Sequence, residues 1–325
     1  MVRHLALFDE TPYKSCLING MVLGADGRKM SKSLKNYVAA PEVLNKNGAD
    51  ATRQWAAGGG ATGSDIPFRA PDVEYGRRFL VKLWNVAGFT SKLLADYEPE
   101  KAGNVALQPL DKWILSKAEN LTQKVTDAFE KCQFNIAVEE IRNFTWHVFC
   151  DAYVEAVKDR LYRPEVQGEE ARVAAQQTLY NVLYRILQLL APVTPHLTEE
   201  IYQTLYADRK GYKSLQVSPW PEFNPAGINV EQETQGDLCV AVINDVRRRK
   251  AEEHKPLNMP LQTLTVYAGT QANTDVIAAS KGDIAGTLKV DLANFKILAE
   301  AGEGKEVERF PGVTFVFEYG EPVKK

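Results

Sequence analysis

Helical spacing dominates the middle of this chain. Over residues 71–97 the apolar positions Val73, Phe79, Leu80, Leu83, Trp84, Val86, Ala87, Phe89, Leu93 and Leu94 recur every three or four places, which predicts one long amphipathic helix. Four more helical patterns follow, over about 110–131, 135–161, 169–190 and 195–206. In the second of these, Ile141, Phe144, Val148 and Phe149 put bulky groups on one stripe, while Glu139, Glu140, Arg142 and Asp151 serve other faces. Thr194 before Pro195 reads as a helix start, with the hydroxyl capping the first amides and proline at the first helical position. Long helices joined by short links, with no strand pattern between them, predict an antiparallel bundle over 71–222.

The flanks read differently. Residues 1–70 are mixed and irregular: an apolar run over 15–24 predicts a strand, followed by a turn at Asp26-Gly27. Pro41 suits the first turn of a helix ending at Gly48, a second short helix covers about 49–57, and the glycines at 58–60 and 63 make a flexible break. After the Pro- and Gly-rich link at 219–227, a helix is expected over about 232–254. Strands are expected at 261–267, 295–298 and 313–317, with a helix around 274–281. The fold class predicted is therefore mainly α, with a small α/β unit over 223–325.

Composition narrows the class. At 325 residues the chain holds two or three domains, and its 25% charged and 45% hydrophobic residues are those of a folded protein. The net charge of -3 places any nucleic-acid contact on local patches. Such patches are Lys29, Lys32 and Lys35; Arg77, Arg78 and Lys82; and Arg247-Arg248-Arg249-Lys250, although most charge clusters are solvated helix faces. The aromatics Trp113, Phe129, Phe134, Phe144, Trp146, Phe149 and Tyr153 fall at helical spacing and are expected mainly in the core. Four scattered cysteines without a C-x-x-C pair predict neither a disulfide framework nor a zinc site, and no protein-held metal is expected. No apolar run is long enough for a membrane span, and the N-terminus lacks a signal-peptide core, so a cytoplasmic protein with no membrane partner is expected.

One segment carries chemistry. Gly24-Ala25-Asp26-Gly27-Arg28-Lys29-Met30-Ser31-Lys32-Ser33 combines turn-forming glycines, two ammonium groups and two hydroxyls, the makings of a phosphate loop. The spelling Lys-Met-Ser-Lys-Ser arises by chance in a chain of this length on the order of once in ten thousand. After an apolar strand and an Asp-Gly turn, it resembles the mobile ATP loop of the class I aminoacyl-tRNA synthetases. That resemblance implies an ATP site formed by Lys29, Met30, Ser31, Lys32 and Ser33, with Lys32, assisted by Lys29, catalytic in neutralising the departing pyrophosphate. Mg2+ is expected to accompany the nucleotide.

The similarity continues. Ser33-Leu34-Lys35-Asn36 and Gly48-Ala49-Asp50-Ala51-Thr52-Arg53 resemble the stem-contact segment of the members that charge valine, isoleucine and leucine. Asp151-Ala152-Tyr153-Val154-Glu155, Lys158-Asp159-Arg160-Leu161-Tyr162 and Ala191-Pro192-Val193-Thr194-Pro195-His196-Leu197 resemble its anticodon-binding bundle. Gly63-Ser64-Asp65-Ile66-Pro67-Phe68 and Lys82-Leu83-Trp84-Asn85 are most like the valine-specific members, with the isoleucine-specific ones as the alternative. Lys35 departs from the pattern by standing where the family commonly has glycine. The resemblance thus implies the end of a catalytic domain over 1–70, an anticodon-binding bundle over 71–222, and valine, ATP and the valine tRNA as partners. DNA is not among them, and a monomer is expected.

The family's other nucleotide motif, His-Ile-Gly-His, has no counterpart here. The expectation is a C-terminal part of a ligase that does not aminoacylate alone, with the alternatives of a stand-alone tRNA-binding module starting at Met1 and a helical scaffold for a protein partner.

Overall fold

The structure, a computed structural model, describes residues 2–100, 102–103 and 105–321. A short helix, α1 (Val2–Phe8), buries no residue and was not foreseen in the irregular reading of this region. The apolar run at 15–24 contributes only β1 (Val22–Leu23), which pairs in parallel with β2 (Ile66–Pro67). Its apolar side chains find no face to bury against, Ile18 being 75% exposed, so the rest stays irregular. Gly20 marks where this segment crosses residue 64: a Cβ there would stand 1.9 Å from the Ser64 carbonyl oxygen.

Helices α2 (Ala40–Asn47) and α3 (Ala49–Gly58) meet at Gly48, whose φ of 82° suits glycine. They pack with the N-terminal part of α4 (Ala70–Leu93) on a small core of Val43, Ala51 and Val73. Gly76 of α4 leaves room for the buried Gln54 side chain, whose Oε1 would stand 2.7 Å from an added Cβ.

The bundle continues with α5 (Pro109–Glu130), α6 (Phe134–Asn143), a π-helical stretch (Phe144–Val154) and α7 (Glu155–Tyr162). The pattern at 135–161 is thus one helical run whose middle widens to π geometry, a feature common near functional sites. After α8 (Pro164–Gln167) come α9 (Glu169–Leu190), α10 (Pro195–Leu205) and α11 (Ala207–Lys210).

Thr194 does not cap α10. Its hydroxyl turns back to the Leu190 carbonyl, and Asp50 of α3 caps the helix instead, accepting from the backbone N–H of Leu197 at 2.7 Å and of His196 at 3.3 Å. A carboxylate at a helix N-terminus also opposes the helix dipole favourably.

The 219–227 segment is stapled down along the bundle. The Pro219 carbonyl accepts from Gln188, the Trp220 indole N–H donates to Thr126 at 2.9 Å, and the Asn224 amide donates to Glu119 at 3.0 Å. Helix α12 (Val230–Glu252) then packs on α5, with Gly236 so close to Trp113 that a Cβ would lie 2.3 Å from its ring.

The last part holds β3 (Leu261–Tyr267), α13 (Gln271–Ala279), α14 (Lys281–Leu288), β4 (Phe295–Leu298), β5 (Lys305–Glu306) and β6 (Thr314–Tyr319). The sheet order is β4-β3-β6-β5, with β4 parallel to β3 and the other pairs antiparallel. Where one helix was expected at 274–281 there are two, because Thr270 caps the first three residues early and the chain breaks at Ser280 before α14. One core cluster runs from Phe79 in the bundle to Phe315 in the sheet.

Candidate phosphate loop and nucleic-acid face

The loop after β1 is a small hydrogen-bonded scaffold that displays its cations outward. The Gly24 amide donates to the Arg28 carbonyl at 2.8 Å and the Gly27 amide to the Gly24 carbonyl at 2.9 Å, closing the Asp26-Gly27 turn at a Gly27 φ of 74°. Leu23 and Lys29 then bridge in antiparallel fashion. Asn36 ties the two halves together. Its amide nitrogen donates to Asp26 at 3.1 Å and to the Lys29 carbonyl at 3.3 Å, while its oxygen accepts from the Ser31 amide at 2.8 Å. Donors from Asn36 and Arg28 hold the Asp26 carboxyl down at about 2.

Within this frame the Ser31 and Ser33 hydroxyls bond each other at 2.7 Å. Lys29 and Lys32 are exposed, and among the described residues neither has a carboxylate partner; Lys32 has only the Tyr37 ring, 5.9 Å away. Lys35, exposed as well, sits at a φ of 53°, the left-handed region that glycine adopts without cost. The departure noted in the sequence is therefore strained backbone. Met30 is half-buried. The five expected site residues are brought together on one loop; Asn36, which organises them, is the residue that the reading of charges and hydroxyls passed over.

A clasp connects this region to the bundle. Besides the Asp50 cap, Arg53 donates to the Val193 carbonyl at 3.0 Å and the Pro192 carbonyl at 2.9 Å. The segments 48–53 and 191–197, quoted separately in the sequence, are thus two sides of one contact. The same holds for Lys82 and Asp151, which form an ion pair at 2.6 Å.

The other basic patches divide. Arg77 pairs with Glu74, leaving Arg78 exposed beside it. In the Arg247–Lys250 run, Arg248 is taken by Asp245 and Glu308 and Arg249 by Glu253. Lys250 is buried, donating to the Met259 and Leu288 carbonyls at 2.7 and 3.0 Å, and burial lowers its pKa to about 8. It is a structural tie between α12 and the α/β unit, so this run offers only Arg247 to an outside anion.

Of the seven aromatics, Trp113, Phe144, Phe149 and Tyr153 are buried, and Phe129, Phe134 and Trp146 are half-buried. Tyr153 donates to Asp111 at 2.6 Å, and Asp111 is gripped at both oxygens by the buried Arg160. No group of three or more potential metal ligands occurs among the described residues, and none of their helices is long and apolar enough to cross a membrane.

Comparison with known proteins matches these two regions separately. Residues 1–69 match the family of tRNA synthetases class I (I, L, M and V), and residues 111–265 the anticodon-binding domain of tRNA ligase. The chain is 45% identical over 290 residues to a valine–tRNA ligase of Methanothermobacter thermautotrophicus, an alignment covering 89% of this chain and 32% of that protein. It is 40% identical to the valine–tRNA ligase of Pyrococcus abyssi, covering 89% and 32%, and 38% identical to that of Methanothrix thermoacetophila, covering 100% and 35%. The chain spans about a third of the length of these curated relatives. With the loop, the clasp and both family matches in agreement, the chain belongs to the class I aminoacyl-tRNA synthetases.

Proposed function

We propose that this chain serves a valine–tRNA ligase, supplying the phosphate loop for ATP and a surface for the valine tRNA. The observation that carries the reading is the loop itself, in which Lys29 and Lys32 stand without carboxylate partners among the described residues, on a turn braced by Asn36.

The donor set fits a polyphosphate. Ammonium groups are adjustable point charges for phosphate oxygens, and the frame that holds them is already hydrogen-bonded, so little order is lost on binding. The valine carboxylate would attack the α-phosphorus of ATP, forming valyl-adenylate as the bond from that phosphorus to the β-phosphate oxygen breaks and pyrophosphate leaves. Lys32 neutralises the charge that gathers on the departing pyrophosphate, Lys29 assists, and Ser31 and Ser33 shape the backbone between them. The carboxylate within the loop segment, Asp26, is already engaged by Asn36 and Arg28, so Mg2+ would be carried by the nucleotide rather than by this loop.

The tRNA would lie along the bundle, with the 48–53 and 191–197 clasp keeping the loop in register with it. Similarity to the three valine–tRNA ligases reported above supports valine over isoleucine.

The test joins this chain to the N-terminal two thirds of the Methanothermobacter relative and changes Lys32 to Ala. Loss of one such preorganised donor is expected to lower valine-dependent ATP–pyrophosphate exchange ~10²- to 10³-fold. Affinity for the valine tRNA should stay within about twofold. Unchanged exchange would remove the role given to Lys32.

A further inference from the structure

A second cationic site lies where α4 meets the start of the π-helical stretch. Tyr75 and Trp146 stack there with ring centroids 6.3 Å apart and planes 7° from parallel. Two guanidiniums rest on Tyr75, Arg142 at 4.6 Å and Arg78 at 5.7 Å from the ring centroid. The Lys82 ammonium stands 4.5 Å from the centre of Trp146.

Charge in this patch does not balance. Arg77 is met by Glu74, and Lys82 and His147 share Asp151. Among the described residues neither Arg78 nor Arg142 has a carboxylate partner, and the Arg142 Nε is buried without any hydrogen bond. Four permanent cations, Arg77, Arg78, Lys82 and Arg142, thus face two carboxylates on a chain whose net charge is -3.

Two guanidiniums on one ring repel each other, and the ring attraction of about 0.5 to 1 kcal/mol at an exposed site does not remove their charge. A ring does, however, fix a guanidinium's plane and leave its N–H edge free for two oxygens. The patch is an open face across two elements, with Tyr75 at 38% exposure, which suits a string of phosphates better than one enclosed small anion.

We infer that Arg78 and Arg142, held on the Tyr75–Trp146 ring pair, dock two backbone phosphates of a bound RNA without reading its sequence. This rests on the proposal that the chain binds tRNA, and adds where and how the backbone is gripped. The rings act as a shelf that preorganises the arginines, and the base-independent contact sets affinity and its response to salt.

The experiment is a filter-binding titration of the 325-residue chain and its R78Q/R142Q variant against the valine tRNA and an unrelated tRNA, from about 50 to 200 mM salt. Each lost phosphate contact should reduce the slope of log affinity against log salt by ~0.7 to 0.9, so the double variant should lose about 1.4 to 1.8 units. Affinity should drop at least tenfold at the low-salt end, and the ratio between the two tRNAs should not move. A Y75L variant, which keeps both charges and removes the shelf, should lose affinity with a smaller change in slope, and circular dichroism of both variants should match the parent. An unaltered slope in R78Q/R142Q, or a loss confined to one tRNA, overturns this inference alone. No RNA binding by the unaltered chain overturns it together with the tRNA proposal.

Discussion

Asn36 shows how one amide can organise a loop whose chemistry lies in its neighbours. It bonds Asp26, the Lys29 carbonyl and the Ser31 amide, so its side chain spans both flanks of the turn. Asn36→Leu should release Asp26, and its carboxyl should titrate in an NMR pH series well above the present value of about 2, toward the ordinary 3.8. Because the folded pKa is depressed, Asp26 contributes stability above pH 3.8 that is lost as pH falls toward 2, and the variant should lack that acid-dependent loss. An Asp26 titration unmoved in the variant would mean that Arg28 alone holds the carboxylate. At this scale the sequence was informative about charge and poor about geometry. The spelling around Lys29 and Lys32 marked the site, while the role of Asn36 depends on a chain reversal that residue type does not encode. Lys35 is a middle case: its departure from a customary glycine was visible in the sequence, while the left-handed backbone it adopts was read only from the structure.

At the scale of elements, helix existence was legible and helix ends were not. Periodicity places α4, α5 and α12 within a few residues because each buries one stripe, and α9 is placed as well although its second half is buried nearly all round. The start of α10 is different: the local signal at Thr194 is overridden by a carboxylate 147 residues from the Leu197 amide it serves. Asp50→Ala should therefore cost about 1 to 2 kcal/mol in urea unfolding, as loss of a cap does, whereas Thr194→Val should cost much less. Equal losses in the two variants would return the cap to Thr194. The strand at 15–24 shrank to two residues for a related reason, since an apolar run needs a covering layer and this one has none. Nor does spacing alone distinguish the π geometry of Phe144–Val154 from an ordinary helix, because both turn apolar residues inward.

Across the whole molecule, the bundle and the α/β unit are joined by buried charge as well as by apolar packing. Arg160 of α7 grips Asp111 of α5 at 2.7 and 2.9 Å and approaches Asp283 of α14 at 3.1 Å, although the Nε and the facing carboxylate oxygen are misaligned for a hydrogen bond. Burial pushes the Asp283 carboxyl up to about 7, against the pull of Arg160, with Asp111 and Asp159 adding to the rise. A raised carboxyl binds its proton in the folded state while the unfolded chain releases it, so its contribution to stability declines as pH rises from 3.8 to about 7. Asp283→Asn should remove that decline, and the variant should gain on the parent between about pH 4.5 and pH 7.5 in urea titrations. A relative loss over the same interval would show that the attraction of Arg160 outweighs desolvation. None of this was legible beforehand, for Asp111, Arg160 and Asp283 lie far apart in the chain. The Pro- and Gly-rich composition of 219–227 likewise suggested slack, yet its Pro219 carbonyl, Trp220 indole and Asn224 amide are fastened along α5 and α9. Such a segment is a brace: held at three points along α5 and α9, it sets where α12 begins and hence how the sheet that follows is seated against the bundle.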